Sequence, residues 1–211
     1  MAGLAEKIVR SFPTTLRVPI ELRMALDWLE AGRAVHGADS SHTGLSIYPG
    51  TGTGTIERGM SRIVFEPVER EFMGLWLAND DPAVTRRVAP FVRTGFDGSR
   101  AGIWLDDNGR QHFVHLGSGS GSTLVCVLAS HAIDFLRLLT IGYEEFCWSW
   151  VYDLTGEEAY QREHGDDGRK PGLHPPIEFQ NWVRKTFDVP LPKRGSEIVA
   201  RTAEMDDENS D

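Results

Sequence analysis

A strand–turn–strand pattern in the middle of the chain constrains the fold more than any other feature of the sequence. Residues 101–105 and 111–116 are rich in the branched and aromatic side chains that suit a half-buried sheet surface. The run Asp-Asp-Asn-Gly at 106–109 stands between them. Asn-Gly between two apolar segments is a strong hairpin signal because both residues tolerate positive φ. The pattern predicts two adjacent antiparallel strands.

The segment after this hairpin predicts a third strand and then a helix. Glycine and serine alternate from 117 to 122, and the apolar residues 123–129 predict a strand. Ser130 is suited to cap a helix over residues 132–141, whose apolar side chains cover most of its circumference, as in a core helix. These side chains are Ile133, Phe135, Leu136, Leu138, Leu139 and Ile141. The sequence therefore predicts an α+β fold, with a mainly antiparallel sheet and helices packed on one of its faces.

Weaker patterns outline the rest of the chain. Helices are predicted to begin near Pro19, Asp81 and Pro175, because proline suits the first turn of a helix. The apolar face of the second of these continues to Phe91. The polar residues 155–170 leave two possibilities open, a helix with a loop or a mobile insertion. Further strand candidates are residues 45–48, 62–65 and 72–77.

Length and charge predict one domain with a short tail. The 211 residues are enough to bury a core, and residues 1–200 contain no Pro/Gly-rich linker long enough to separate two domains. Residues 201–211 carry five acids and one base, which accounts for −4 of the net charge of −9 and leaves −5 on the rest (21 basic, 26 acidic). We expect this acidic tail to be disordered.

The composition also indicates which kinds of partner the protein can bind and in which cellular compartment it is expected. The mildly acidic body argues against direct binding of nucleic acid. No segment approaches the ~20 apolar residues of a membrane span, so no membrane partner is expected. Only two cysteines occur, Cys126 and Cys147, and their apolar surroundings predict buried thiols rather than a disulfide. These features predict a cytoplasmic protein.

The residues that might carry catalysis fit no known motif. The glycine-rich runs at 50–54 and 117–121 lack the spacing of a dinucleotide-binding loop, a P-loop or a nucleophile elbow, and are predicted to be structural loops. His112 and His115 stand three apart on a predicted strand and so point to opposite faces. His36 and His42 flank a turn that contains Asp39, which makes them a better candidate for a metal or acid/base site, although polar loop residues are the favoured interpretation. The sequence predicts no catalytic, cofactor or metal site, and hence no enzyme.

Several segments in the second half of the chain carry a family resemblance. They are the tryptophan-bearing strand, the acidic hairpin turn, the Gly/Ser loop, Asp-Phe-Leu-Arg-Leu-Leu at 134–139, Ile-Gly-Tyr-Glu-Glu at 141–145, Phe-Gln-Asn-Trp-Val at 179–183, and Gly-Ser-Glu-Ile-Val at 195–199. Together they resemble the SUKH superfamily, the bacterial relatives of a yeast regulator of cell-wall synthesis. The likeness covers residues 96–199 and does not extend to residues 1–95. The resemblance implies a SUKH-like α+β fold.

The resemblance also implies a function. Most bacterial members of this superfamily are thought to be immunity proteins that neutralise a toxin delivered between competing cells. The expected partner is therefore a cognate toxin domain of a secreted effector, bound stoichiometrically in the cytoplasm. Two alternatives stay open, an intracellular regulatory scaffold and a small-molecule enzyme that uses the glycine-rich loops. The identity of the toxin and the oligomeric state are also open.

The predicted partner-binding surface combines acids with aromatic side chains. Charge complementarity around an aromatic anchor is a common way to select one partner. The alternation of Trp148, Trp150 and Tyr152 is also explained by a strand with one buried aromatic face, so their role as an anchor competes with a role in the core. The predicted partner-binding residues are Asp106, Asp107, Glu144, Glu145, Trp148, Trp150, Glu157 and Glu158.

Overall fold

The sheet is a meander in which each strand pairs antiparallel with its neighbours in sequence. The computed structural model describes residues 2–36, 43–50, 59–70, 73–165, 172–200 and 205. Within them the strands are β1 (Val35–His36), β2 (Gly44–Ser46), β3 (Val64–Phe65), β4 (Val88–Arg93), β5 (Arg100–Leu105), β6 (Gln111–Leu116) and β7 (Val125–Ala129). The predicted antiparallel sheet is confirmed.

Helices precede, interrupt and follow the strands. The described α-helices are α1 (Leu4–Ser11), α2 (Ile20–Ala31), α3 (Met73–Trp76), α4 (Pro82–Thr85), α5 (Ala132–Leu139), α6 (Gly156–His164) and α7 (Ile177–Phe187). Two 3₁₀ helices cover Ser149–Asp153 and Gly195–Glu197. Helix α5 packs on β7 and contacts both α2 and α7, so the predicted α+β architecture is confirmed. In the described part of the chain, every helix is too short or too polar to cross a membrane.

The central hairpin forms as the sequence predicts. Strands β5 and β6 pair in register from Arg100 with Leu116 to Leu105 with Gln111. The turn between them places Gly109 at a φ of 76°, a conformation that glycine adopts without strain. This local signal was sufficient because both the strands and the turn that joins them are specified within sixteen consecutive positions.

An aromatic column fixes α5 on the sheet. The ring of Phe135 stacks on Phe113 of β6 with centroids 4.4 Å apart, and lies 6.3 Å from the ring of Phe91 in β4. Phe91 in turn contacts Phe12 and Phe65 at 5.1 and 6.1 Å. Aromatic pairs at such distances add to the stability that area burial alone provides. The helix is apolar on several sides because the sheet, α2 and α7 all contact it.

The prediction that a helix continues to Phe91 is wrong, because this part of the chain forms a bulged strand. Helix α4 ends at Thr85, and the following residues form β4, whose register with β5 shifts between Pro90 and Val92. Pro90 has no N–H to donate and would break a helix, whereas a bulged strand tolerates it. Its partner is Gly102, where an added Cβ would lie 2.6 Å from the carbonyl oxygen of Ala89. The close approach of the two strands therefore requires glycine.

Three other predictions are settled by the described residues. The strand candidate at 72–77 is wrong, because hydrogen bonds from Leu77 to Met73 and from Asn79 to Gly74 close a helical turn there. The aromatic strand through Trp150 is wrong, since 149–153 form a 3₁₀ helix. The polar segment 155–170 begins as helix α6, and a reciprocal pair of hydrogen bonds between Thr155 and Glu158 caps it.

One residue of the predicted disordered tail lies in the core. Met205 is 1% exposed and packs with the buried apolar residues. The other positions of the predicted disordered tail, 201–204 and 206–211, lie outside the described residues.

Truncation of Leu136 tests the assignment of α5 to the core. Its side chain is fully buried, and Leu136→Ala should lower the free energy of unfolding by about 2–5 kcal/mol because it leaves a cavity. Chemical denaturation of the purified protein measures this change. Ile20→Ala is the control, since that side chain is 65% exposed. Equal stability of the two variants would contradict the assignment.

Candidate binding site

Four carboxylates lie close together near the start of β5, and we call them the acidic cluster. They come from three separate segments: Asp97 lies just before β5, Glu144 and Glu145 lie in the loop after α5, and Glu163 lies in the last turn of α6. Burial raises the pKa values of Glu145 and Glu163, and the nearby carboxylate of Glu144 raises both further. The carboxylates of the cluster therefore lie close enough to influence one another.

The Gly/Ser loop holds the carboxylate of Asp97. Asp97 accepts hydrogen bonds from the Ser99 amide (2.9 Å), the Ser99 hydroxyl (2.7 Å) and the Ser118 hydroxyl (2.8 Å). Burial acts to raise its pKa, but these hydrogen bonds hold the pKa of Asp97 below its ordinary value. A Cβ on Gly121 would lie 2.6 Å from the Cβ of Asp97, so the loop closes tightly over this side chain. A loop that already surrounds a carboxylate is poorly suited to bind phosphate.

Glu144 is a buried ion-pair partner. It is 7% exposed, its Oε1 lies 3.5 Å from a guanidinium nitrogen of Arg62, and its Oε2 is hydrogen-bonded to Nε2 of His164. The Arg62 amide also donates to the Glu144 carbonyl at 2.7 Å. Removing one member of such a group leaves an uncompensated buried charge. These contacts hold the loop after α5 in place, and the predicted role of Glu144 in binding a partner stays a prediction.

Glu145 and Cys147 form a partly desolvated pair beside Asp97. Glu145 accepts a hydrogen bond from the Phe96 amide at 2.9 Å, and the Cys147 thiol lies 3.5 Å from its Oε2 and 3.4 Å from Asp97. Burial, together with the carboxylates of Asp97 and Glu144, raises the pKa of Glu145. Burial also raises the pKa of the Cys147 thiol, and the neighbouring carboxylates of Glu145 and Asp97 raise it further. The thiol is therefore protonated at neutral pH and acts as a weak donor.

Two aromatic rings with stacked arginines flank the acidic cluster. The ring of Phe96 is 74% exposed, and the Arg62 guanidinium lies 3.8 Å from its centroid. The ring of Trp150 is half-buried, with the Arg162 guanidinium 4.3 Å from its centroid. Trp148 is also half-buried and packs against the core. Phe96 is thus the side chain in this region with the most apolar surface to offer a partner.

The structure separates the predicted hairpin acids from the acidic cluster. Asp106 accepts hydrogen bonds from the Asn108 and Arg110 amides and caps the turn, while Asp107 is exposed and pairs with Arg87 at 2.7 Å. They lie at the far end of β5, whose six residues span about 20 Å. The eight predicted residues therefore do not form one continuous surface.

The two glutamates at the start of α6 have mainly local partners. Glu157 is exposed and accepts a hydrogen bond from Gln161 at 3.1 Å. Glu158 caps its own helix through Thr155 and lies 3.3 Å from a guanidinium nitrogen of Arg194. These contacts stabilise the helix and its attachment to the C-terminal segment.

The two cysteines and two of the histidines behave as predicted. Cys126 and Cys147 are both buried, and they are thiols rather than halves of a disulfide. His115 lies in the core, where Nδ1 is 3.0 Å from the Leu124 carbonyl and Nε2 is 3.2 Å from the Thr94 hydroxyl. His112 is half-buried near the turn between β5 and β6, where it pairs with Asp106. The side chain of His36, together with Asp39, His42 and the glycines at 52 and 54, falls outside the described residues.

A groove of about 550 Å³ is lined by residues outside the acidic cluster. It is lined by Pro13, Thr14, Val68, Arg70, Met73, Pro82, Thr85, Arg86 and Val88. Of its two lining arginines, Arg70 donates to the backbone carbonyls of Ser11 and Phe12. None of the lining residues belongs to the acidic cluster, and we place the candidate site at the cluster because the convergent polar groups are there.

Five members of this site were not predicted from the sequence. They are Arg62, Phe96, Asp97, Glu163 and His164. The only sequence signal was weak: Phe96 stands between a glycine and an aspartate, and Glu163 and His164 end a polar segment. The contacting residues lie as many as 82 positions apart in the sequence, and local sequence patterns do not reveal contacts at such separations.

Comparisons of the chain with protein-family models, curated proteins and solved structures found no match. The likeness to the SUKH superfamily therefore stays a prediction from the residues.

The buried His115 predicts a dependence of stability on pH. Burial lowers the pKa of His115 to about 4, whereas the unfolded chain has the ordinary value of about 6.5. Between these values the unfolded state binds more protons, so the free energy of unfolding should fall by about 3 kcal/mol as pH drops from 6.5 to 4. His115→Gln should remove this part of the slope in urea titrations at several pH values. An unchanged slope would contradict the assignment, and His131→Gln, at an exposed position, controls for loss of a histidine.

Proposed function

We propose that this protein is an immunity protein, which binds a cognate toxin domain stoichiometrically in the cytoplasm and blocks its active site or the entry of its substrate. The observation that carries the proposal is the exposed ring of Phe96 beside the acidic cluster. An apolar anchor next to concentrated negative charge suits a protein partner that presents a basic surface. The resemblance to the SUKH superfamily supplies the class of partner.

The charge of the chain supports a basic partner. The net charge is −9, and partial desolvation leaves Glu145 and Glu163 with raised pKa values, which means that their negative charge is poorly compensated. A cationic side chain of the partner would relieve this repulsion. Binding would then require a partner that is complementary in both charge and shape, and a protein that lacks either would bind poorly.

The arrangement gives less support to a small-molecule enzyme. The thiol of Cys147 is protonated and faces two carboxylates, which is the opposite of an activated nucleophile. The glycine-rich loop at 117–122 surrounds Asp97 rather than an open anion site. These observations favour a binding role over a catalytic one.

Co-expression tests the proposed function directly. If the gene beside this one encodes a large secreted protein with a variable C-terminal domain, that domain is the toxin to test. Its expression should stop growth, and co-expression of this protein should restore it, with a 1:1 complex on size-exclusion chromatography. Continued killing with no complex would refute the proposal. Complexes with the cell's own proteins alone would instead favour a regulatory scaffold.

Surface variants test the proposed interface. Glu163→Lys should slow association with the toxin domain by about tenfold at low salt, since it reverses a charge that steers a basic partner. Phe96→Ala should weaken the complex by about tenfold or more, mainly through faster dissociation, because it removes the anchor. Surface plasmon resonance measures both rates.

The control for these variants is Glu178→Lys, an exposed charge reversal on α7 outside the acidic cluster. It should change the association rate far less than Glu163→Lys. Equal effects of the two reversals would show that only overall charge matters, and would remove the acidic cluster from the interface.

A further inference from the structure

We infer that Glu144, Glu163 and His164 form a binding site for a divalent transition-metal ion of the zinc type. Each residue offers one ligand atom, and the three atoms all lie within 4.8 Å of one another. Bonds of about 2.0–2.2 Å to an ion place neighbouring ligand atoms ~3–3.5 Å apart, so small side-chain rotations complete the site. This inference goes beyond the proposed function and does not depend on it.

The three ligands come from two segments that the fold holds together. Glu144 lies in the loop after α5, while Glu163 and His164 are adjacent in the last turn of α6. The C-terminal end of a helix carries a partial negative charge, which favours a cation at that position. The link between the segments already exists as the hydrogen bond between Glu144 Oε2 and His164 Nε2. A metal ion would replace the proton that joins these two atoms.

The surrounding residues support the ligands as second-shell partners do in metal sites. Arg62 lies against Oε1 of Glu144 and leaves Oε2 directed toward His164. The ring of Tyr160, one turn earlier on α6, lies 4.5 Å from the imidazole of His164 and restricts its orientation. Such outer contacts fix the direction of ligand atoms and strengthen binding.

The electrostatics of the site favour a dication. The carboxylate of Glu163 lies near the carboxylates of Glu144 and Glu145, and the positive group beside them is the Arg62 guanidinium, with the His164 imidazole as a further neighbour. Negative charge therefore exceeds positive charge around this carboxylate. An ion of charge +2 would compensate it where the single guanidinium of Arg62 does not.

The ligand set indicates the class of metal. An imidazole nitrogen with two carboxylate oxygens suits Zn²⁺ and its neighbours in the transition series better than Mg²⁺ or Ca²⁺, which prefer oxygen ligands alone. Three protein ligands leave at least one coordination position for water or for a group from another molecule.

Titration calorimetry on the full, chelator-treated chain tests the site. Zinc chloride should bind with one equivalent and a Kd of about 1–10 µM, a range that three ligands reach without a preformed cage, and should raise the melting temperature. Magnesium chloride should give no saturable heat in the same range. Absence of zinc binding at millimolar concentration would overturn the inference.

Matched variants locate the ion. Glu163→Gln and His164→Gln should each weaken zinc binding by at least tenfold, because each removes one ligand, and the exposed position of Glu163 keeps the fold intact. Glu178→Gln and His131→Gln repeat the same chemical changes at exposed positions elsewhere and should leave the Kd unchanged. Zinc binding that survives both ligand variants would place the metal at another site and refute the assignment.

Discussion

The contact between Phe135 and the sheet is the interaction on which the rest of the fold depends. Helix α5 touches the last strand and two other helices, α2 and α7, so it joins the layers. Phe135 lies between Phe113 and Phe91 and therefore fixes α5 over the centre of the sheet. The direction in which the chain leaves α5 follows from this placement, and it brings Glu144 and Glu145 to the start of β5. The candidate site is thus positioned by an apolar contact that it does not include.

The site itself is organised by charge burial. Arg62, Glu144 and His164 connect the segment before β3, the loop after α5 and the end of α6. Glu66 makes a second such group, with Arg93 at 3.2 Å and Arg100 at 2.8 Å, beside the bulge of β4. Buried ion pairs contribute little net stability relative to apolar packing, but they define which segments are neighbours. In this protein the two ion-paired groups hold together the segments on either side of irregular positions, one in the loop after α5 and one at the bulge of β4.

What the sequence predicts well is what short segments specify by themselves. The hairpin, the apolar helix and the start of the last helix near Pro175 each depend on residues within a few positions of one another. Phe91 was assigned to a helix because its apolar spacing suits one, and only the pairing of Pro90 with Gly102 shows why a bulged strand forms instead. The acidic cluster was half predicted: Glu144 and Glu145 were named, but their burial depends on Arg62 and Phe96, which lie far away in sequence.

The meander has a consequence for how the chain folds during synthesis. Strands that pair only with their sequence neighbours keep most sheet contacts local, so pairing can follow translation in order. Phe113 emerges from the ribosome nineteen residues before Ala132, the first residue of α5. At typical translation rates this leaves the apolar face of the sheet uncovered for about 1–4 s. Chaperones that bind exposed apolar strands therefore have a defined interval in which to act on this protein, and it closes when α5 reaches the sheet.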